Sequence, residues 1–198
     1  MRVAVVLNTP EKIALVTEKT VIYADGGYTK HGLDDGKNVT VVGDFDSLGY
    51  TPNSESTVKL DCEKNFTDGE FAVRTAVKQG ADEIVIYGAL GGRIDHIICN
   101  LALLKIAKNL GVKAYIKEKD LKIYLLDGES SFSAKKGVSV SVLPYGDSAV
   151  VERSTGLYYP LENLTLTNAD TRGISNIATE REFTLSVTNG QCLVIVYN

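Results

Sequence analysis

The stretch VTVVGDFDS, residues 39–47, passes from one chemistry to another within a few residues. Its first half is apolar and β-branched, which reads as a strand buried on both faces. Its second half carries two carboxylates where that strand must end. If residues 44–46 stay extended, Asp44 and Asp46 point to the same side, about 7 Å apart at roughly 3.3 Å per residue, and Phe45 faces away into packing. Magnesium prefers oxygen ligands and keeps several waters, so one or two Mg²⁺ ions fit such a pair. A polar turn after a strand is the plain alternative.

Similar runs recur at Val3, Thr20, Ser56, Glu83 and Val112, and helical patterns separate several of them. Strand and helix in alternation imply a mostly parallel sheet with flanking helices on its faces, an α/β fold of the Rossmann-like kind. Thr9-Pro10 predicts a short helix with proline in its first turn. Thr67-Asp68-Gly69-Glu70 is a capping box that opens a helix ending at Gly80. A further helix follows Arg93, with Ile94, Ile97, Ile98, Leu101 and Leu104 at helical spacing and Gly111 as its stop.

Beyond Leu126 the helical patterns give way to short alternating strands, such as the one carrying Val138, Val140 and Val142 on one face. This places an α/β domain at 1–126 and a small all-β, sandwich-like domain at 127–198, with the boundary near Asp127-Gly128. Asn189-Gly190 between two strand-like runs predicts a tight hairpin. A β domain of this size is expected to pack on its neighbour or on a second copy.

Charge excludes some functions. With 198 residues, 44% hydrophobic content and a net charge of −4, the chain has no broad basic surface for nucleic acid or an anionic membrane. No apolar run approaches the roughly 20 residues needed to span a bilayer, and the first residues lack a signal-peptide pattern, so a cytoplasmic protein is expected. Cys62, Cys99 and Cys192 are odd in number and widely spaced, and read as reduced core thiols.

The acids fall in a pattern. Asp25, Asp44, Asp46, Asp68 and Asp95 each follow a strand or lead into the next helix, at the edge where open parallel sheets bind ligands. Each alone is an ordinary turn or helix-start residue, and Asp68 alone is accounted for by the helix dipole. Together they form a crevice whose mutual repulsion calls for a cation or hydrogen bonds. Asp25-Gly26-Gly27 sets a carboxylate beside glycines that either admit a ligand to the backbone or make a turn. The segment GALGGRIDH, residues 88–96, combines flexible backbone, a helix start and Arg93, a combination suited to phosphate. His96 and Asn100 follow on that helix, and a structural role is open for both.

The order of these motifs, Asp-Gly-Gly, Gly-Asp-Phe-Asp-Ser, Glu-Lys-Asn-Phe-Thr-Asp-Gly-Glu and Gly-Gly-Arg-Ile-Asp-His with Asn100, resembles the thiamine pyrophosphokinase family. Residues 159–163 and 172–176 look like its late motifs. The resemblance implies transfer of a pyrophosphoryl group from ATP to the hydroxyl of thiamine, Mg²⁺ as cofactor, and a homodimer. It implies metal ligation by Asp44, Asp46 and Asp68, and catalytic roles for these with Arg93 and Asp95. ATP and its phosphates are expected at Asp25, Gly26, Gly27, Ser47, Lys64, Gly91, Gly92, Arg93, His96 and Asn100, and thiamine near Ser175 and Asn176. Either Asp46 or Asp95 would take the hydroxyl proton. The sequence departs from the family at Asn65, where another Asp is usual, in a short segment between the first two strands, and in lacking tryptophan. Two other functions fit Asp-x-Asp after a strand: a haloacid-dehalogenase-like phosphatase, against which Leu48 argues, and a non-catalytic nucleotide sensor.

Overall fold

The β-branched runs become strands because their side chains leave water on both faces of a sheet. The structure is a computed structural model that describes residues 1–30, 36–52, 56–61 and 65–198. It divides into two compact units, Met1–Lys119 and Asp120–Asn198. The division precedes the boundary expected at Asp127-Gly128, because a single strand runs through that dipeptide.

The first unit contains β1 (Arg2–Val6), β2 (Thr20–Ala24), β3 (Asn38–Gly43), β4 (Thr57–Lys59), β5 (Glu83–Tyr87) and β6 (Lys113–Lys117). All pair in parallel, in the order β6-β5-β1-β2-β3-β4. The chain therefore moves outward from β1 to β4 and then returns to β1's other side as β5. Loops after β1 and β5 leave in opposite directions, which opens a crevice at the carboxyl ends of these two strands. Val3, Val5, Ile22, Val42, Ile84 and Ile86 have no exposed surface, and each such side chain contributes about 1.5–3 kcal/mol by leaving water.

Helices α1 (Asp68–Lys78) and α2 (Ile94–Asn109) pack against each other and against the sheet. Gly69 permits the close approach, since a Cβ there would meet Leu7 and Leu103 at 3.1 and 3.3 Å. Half of the expected capping box forms: Glu70 N donates to Thr67 Oγ1 at 3.2 Å, while the Glu70 carboxylate accepts from Arg74 one turn on. The apolar face of α2 differs from the expectation. Leu103, Leu104 and Ala107 are buried, whereas Ile94 and Ile98 are 70% and 62% exposed. Apolar residues surround this helix, so period alone does not select the buried side.

The other face of the sheet, with Val6, Tyr23, Val41, Phe45, Val85 and Tyr87, is covered by Ile13, Ala14 and Val16 of an irregular crossing segment. The helix expected after Thr9-Pro10 is absent, and residues 8–19 hold neither helix nor strand. Tertiary anchors account for this. Thr9 Oγ1 donates to Leu90 O at 2.8 Å and accepts from Glu11 N, while Glu18, buried, accepts from the Tyr87 hydroxyl at 2.8 Å. A helix this short has too few internal bonds to compete. Burial and the Glu18 carboxylate push the Tyr87 hydroxyl pKa up.

The second unit is antiparallel: β7 (Leu121–Ser133), β8 (Ser139–Pro144), β9 (Ser148–Thr155), β10 (Leu164–Thr167), β11 (Asn176–Ile177) and β12 (Glu182–Tyr197). The hairpin expected at Asn189-Gly190 is instead a bulge within β12, which pairs with β7 on both sides of it. Gly190 has φ +75, and a Cβ there would lie 2.2 Å from Ser148 O, so the dipeptide serves a bend rather than a reversal. Across the bulge β12 exchanges β9 for β8 as its second neighbour and turns a corner around a core that includes stacked Phe132 and Phe183. Cys192 is buried there, its thiol pKa raised to about 11 by burial.

Candidate active site

Three carboxylates converge at the carboxyl edge of the parallel sheet. Asp25 follows β2, Asp44 follows β3, and Asp68 occupies the first turn of α1. One oxygen from each lies within 4.8 Å of the other two. Asp25 is 6% exposed, and its Oδ1 has no hydrogen-bond partner among the described residues. It also holds φ +44, a left-handed conformation that an L-residue adopts only when its surroundings impose it. Oxygens on one octahedral magnesium lie roughly 3–4 Å apart, so this set fits a Mg²⁺ ion with a small contraction.

The composition of that cluster differs from the Asp44, Asp46, Asp68 set expected from the motif. β3 ends at Gly43 and Phe45 takes φ +64, so residues 44–46 are not extended. Phe45 is buried as expected, while Asp46 is exposed at the cavity and lies outside the three-oxygen cluster. Its backbone N–H donates to Asp44 Oδ1 at 3.3 Å, and its own Oδ1 accepts from Ser47 Oγ at 3.1 Å. Asp25, rather than Asp46, completes the three-oxygen cluster.

The cluster faces a cavity of about 560 Å³, whose wall includes Asp25, Asp44, Asp46, Ser47 and Asp68 on one side. Arg93, Asp95, His96 and Asn100 line it as well. Arg93 grips Asp95 with two nitrogens, Nε to Oδ1 at 3.1 Å and Nη2 to Oδ2 at 2.6 Å. That fork holds the Asp95 pKa down at about 2, with help from the His96 N–H, and raises that of Arg93. Asp95 is thereby a weak base whose oxygens are already engaged. Asn100 turns inward to the loop before it, donating to Ala89 O at 2.9 Å.

Several expected residues stand beside the cavity rather than in its wall. Gly26 and Gly27 serve packing, since a Cβ on them would lie 2.4 Å from the Asn8 side chain and 2.3 Å from Val6 O. Gly91 and Gly92 shape the loop leading to Arg93 with φ +94 and +76. Lys64 and Cys62 lie outside the described residues. Asn8 lines the cavity without having been singled out, although it follows a strand, the same signal that marked the acids; Thr67 and Cys99, read only as a helix cap and a core thiol, line it too. Cys99 is exposed, not a core thiol, because it lies on the outward side of α2.

In the second unit Asn176 is buried and held through both the oxygen and the nitrogen of its amide. Its Oδ1 accepts from Tyr159 N and Ile177 N at 3.0 and 2.8 Å, and its Nδ2 donates to Tyr159 O at 2.7 Å. It fixes a loop that exposes Tyr158 and Tyr159. Ser175 is exposed at φ +56, its N–H on Ser141 Oγ.

A parallel sheet with an acidic cluster and an arginine at its carboxyl edge, joined to an antiparallel β unit, defines a two-part α/β protein with a charged crevice at one sheet edge. Family models place it further. "Thiamin pyrophosphokinase, catalytic domain" matches residues 13–116 and "Thiamin pyrophosphokinase, vitamin B1 binding domain" matches 127–192; the chain belongs to the thiamin pyrophosphokinase family. It is 28% identical over 167 residues to the thiamine pyrophosphokinase of Bacillus subtilis (strain 168), covering 79% of this chain and 77% of that one. The crystal structure of a Bacillus subtilis thiamine pyrophosphokinase superposes with TM-score 0.82 at 25% identity over 98% of each chain. That of the Geobacillus thermodenitrificans protein gives 0.81 at 26% identity, covering 98% of this chain and 96% of the other. The Candida albicans thiamin pyrophosphokinase shares the fold, with TM-score 0.80 at 17% identity over 99% and 88%. The phosphatase and sensor readings find no support in these matches.

Proposed function

We propose that this chain is a thiamine pyrophosphokinase that transfers a pyrophosphoryl group from ATP to the hydroxyl of thiamine, giving thiamine diphosphate and AMP. The observation that carries the reading is the convergence of Asp25, Asp44 and Asp68 beside Arg93, in a chain whose two parts match the family's two domains. The hydroxyl oxygen attacks the β-phosphorus, the bond from that phosphorus to the α,β-bridging oxygen breaks, and AMP leaves with the electron pair. Little covalent work falls to the protein, and positioning with charge neutralisation dominates.

Asp25, Asp44 and Asp68 would hold Mg²⁺, which when bound neutralises phosphate charge and lets a polyanion enter an acidic crevice. Asp46, at the rim with Ser47, is the proton acceptor we favour, because Asp95 is engaged by Arg93 and held at about 2. Arg93 presents its guanidinium to the transferred phosphates. Thiamine is taken by the β unit around Ser175 and the exposed rings of Tyr158 and Tyr159, with Asn176 shaping the loop.

A homodimer fits the exposed apolar side chains of Ile94, Ile98, Ile174 and Ile177. Among the described residues no helix is long and apolar enough to cross a membrane; a cytoplasmic location is our reading of the sequence. The reversal of strand order between β1 and β5 supports the Rossmann-like reading of the first unit.

Phosphorus NMR of the protein with ATP, Mg²⁺ and thiamine tests the reaction. AMP and thiamine diphosphate should form together and only when thiamine is present. ADP or inorganic phosphate as the product would overturn the proposal.

A further inference from the structure

Glu118 stands outside the cavity wall, between Lys117 and Lys119 just past the end of β6. The loop after β5 engages it. Its Oε1 accepts from two successive backbone N–H groups, Ala89 N at 2.9 Å and Leu90 N at 3.1 Å. Two convergent amides on one carboxylate oxygen form a small anion nest, here filled by the protein itself.

The carbonyls of the same two residues are held from other directions. Ala89 O accepts from Asn100 Nδ2 at 2.9 Å, and Leu90 O from Thr9 Oγ1 at 2.8 Å. All four backbone polar groups of residues 89 and 90 are thus satisfied by three side chains, from the segment after β1, the end of β6, and α2. The flanking glycines need this support. Gly88, Gly91 and Gly92 all have positive φ, so the loop has little intrinsic preference for its path. A Cβ on Gly91 would lie 2.7 Å from Glu11 Cγ and 2.9 Å from Thr9 Oγ1, which shows how closely the crossing segment grips it. The loop ends at Arg93, the N-cap residue of α2, and Arg93 reaches the cavity.

We propose that Glu118 is a positioning residue for the nucleotide phosphates: by pinning the amides of Ala89 and Leu90 it fixes the course of residues 88–92 and hence the place of Arg93. The inference rests on the pyrophosphokinase reading for its kinetic arm. Its structural arm stands alone. Charge is part of the device, because a hydrogen bond to an ionised acceptor is roughly twice as strong as a neutral one.

The test compares Glu118→Ala and Glu118→Gln with the unmodified chain. Amide hydrogen exchange at Ala89 and Leu90 should accelerate about a hundredfold in Glu118→Ala, while the amides of β1 and β2 stay protected. In the same variant KM for ATP should rise about tenfold, with KM for thiamine within about twofold. Glu118→Gln, which keeps the shape and one acceptor oxygen, should recover most of the ATP affinity yet shift the Ala89 and Leu90 amide protons upfield. If Glu118→Ala fails to fold, the amide shifts in Glu118→Gln decide. Unchanged exchange or shifts at Ala89 and Leu90 would overturn the proposal, as would an equal rise in both KM values. If the unmodified chain formed no AMP, the reaction assigned above would fail, while exchange at residues 89 and 90 and MgATP binding measured by calorimetry would still decide the role of Glu118.

Discussion

Replacing Asp25 by Asn should make the metal-free protein more stable and the magnesium-loaded protein less responsive. Asp25, Asp44 and Asp68 bring one oxygen each within 4.8 Å. Two unit charges at that separation repel by about 3.5 kcal/mol at an effective dielectric of about 20, so Asp25 faces about 7 kcal/mol from its two neighbours. Asp44 and Asp68 are partly exposed, and solvent and salt reduce the figure to roughly 2–4 kcal/mol. Asn has the same shape and no charge. For a chain of this length each kcal/mol moves Tm by about 2–4 °C, so Asp25→Asn should melt roughly 5–10 °C above the unmodified chain in EDTA.

Magnesium reverses the order of merit. A ligand present at about a hundred times its Kd stabilises the folded state by about 2.7 kcal/mol, and Asp25→Asn should forfeit most of that gain. Differential scanning calorimetry with EDTA and with a Mg²⁺ series separates the two effects. The reasoning fails if Asp25→Asn melts below the unmodified chain in EDTA, because repulsion would then not govern the cluster. It fails equally if the magnesium-induced rise in Tm persists in the variant.

Asp44→Ala and Asp68→Ala should each remove magnesium-dependent turnover while circular dichroism shows an unchanged fold; rates equal to the unmodified chain in both would refute the metal assignment. Arg93→Ala should return the Asp95 titration midpoint from about 2 toward the ordinary 3.8, read by carbon NMR of the side-chain carboxyl. Because the folded value is depressed, the ion pair's contribution to stability is present above about pH 4 and is lost as pH falls through about 2, and Arg93→Ala should flatten that part of the stability curve. Gly190→Ala forces a left-handed backbone onto an L-residue and drives its Cβ to 2.2 Å from Ser148 O. It should cost at least about 2 kcal/mol and lower Tm by about 4–8 °C, measured by thermal melting.

The parallel sheet was legible because its strands are continuous apolar runs, and continuity over five residues leaves few alternatives once both faces are buried. The site's edge was legible for a related reason: acids that follow strands must collect where strands end. Which acids converge most closely was not. That depends on the turn at Asp44-Phe45, where φ +64 at Phe45 leaves Asp46 outside the three-oxygen cluster, and a positive φ at a non-glycine residue has no signature in local sequence. The missing helix after Thr9 and the bulge at Gly190 share one cause. Proline and Asn-Gly each mark a local option, a helix start or a turn, and in both places contacts from distant segments, Leu90 to Thr9 and Ser148 to Gly190, selected another.

The same dependence on distant partners explains why Glu118 was invisible before the fold was known. A carboxylate between two lysines has no local feature that separates a solvated side chain from one that binds two backbone amides; the distinction lies in β6 ending beside the loop that follows β5. Asp25, Asp44 and Asp68 oppose one another, whereas Glu118, Asn100 and Thr9 each satisfy groups that would otherwise be unpaired. The sheet edge thus combines a cluster of like charges with a satisfied clamp on the loop that leads to Arg93. Under the proposed function both would be used: charge that only a cation's arrival would make favourable, and an arginine whose position would not relax when the cation departs.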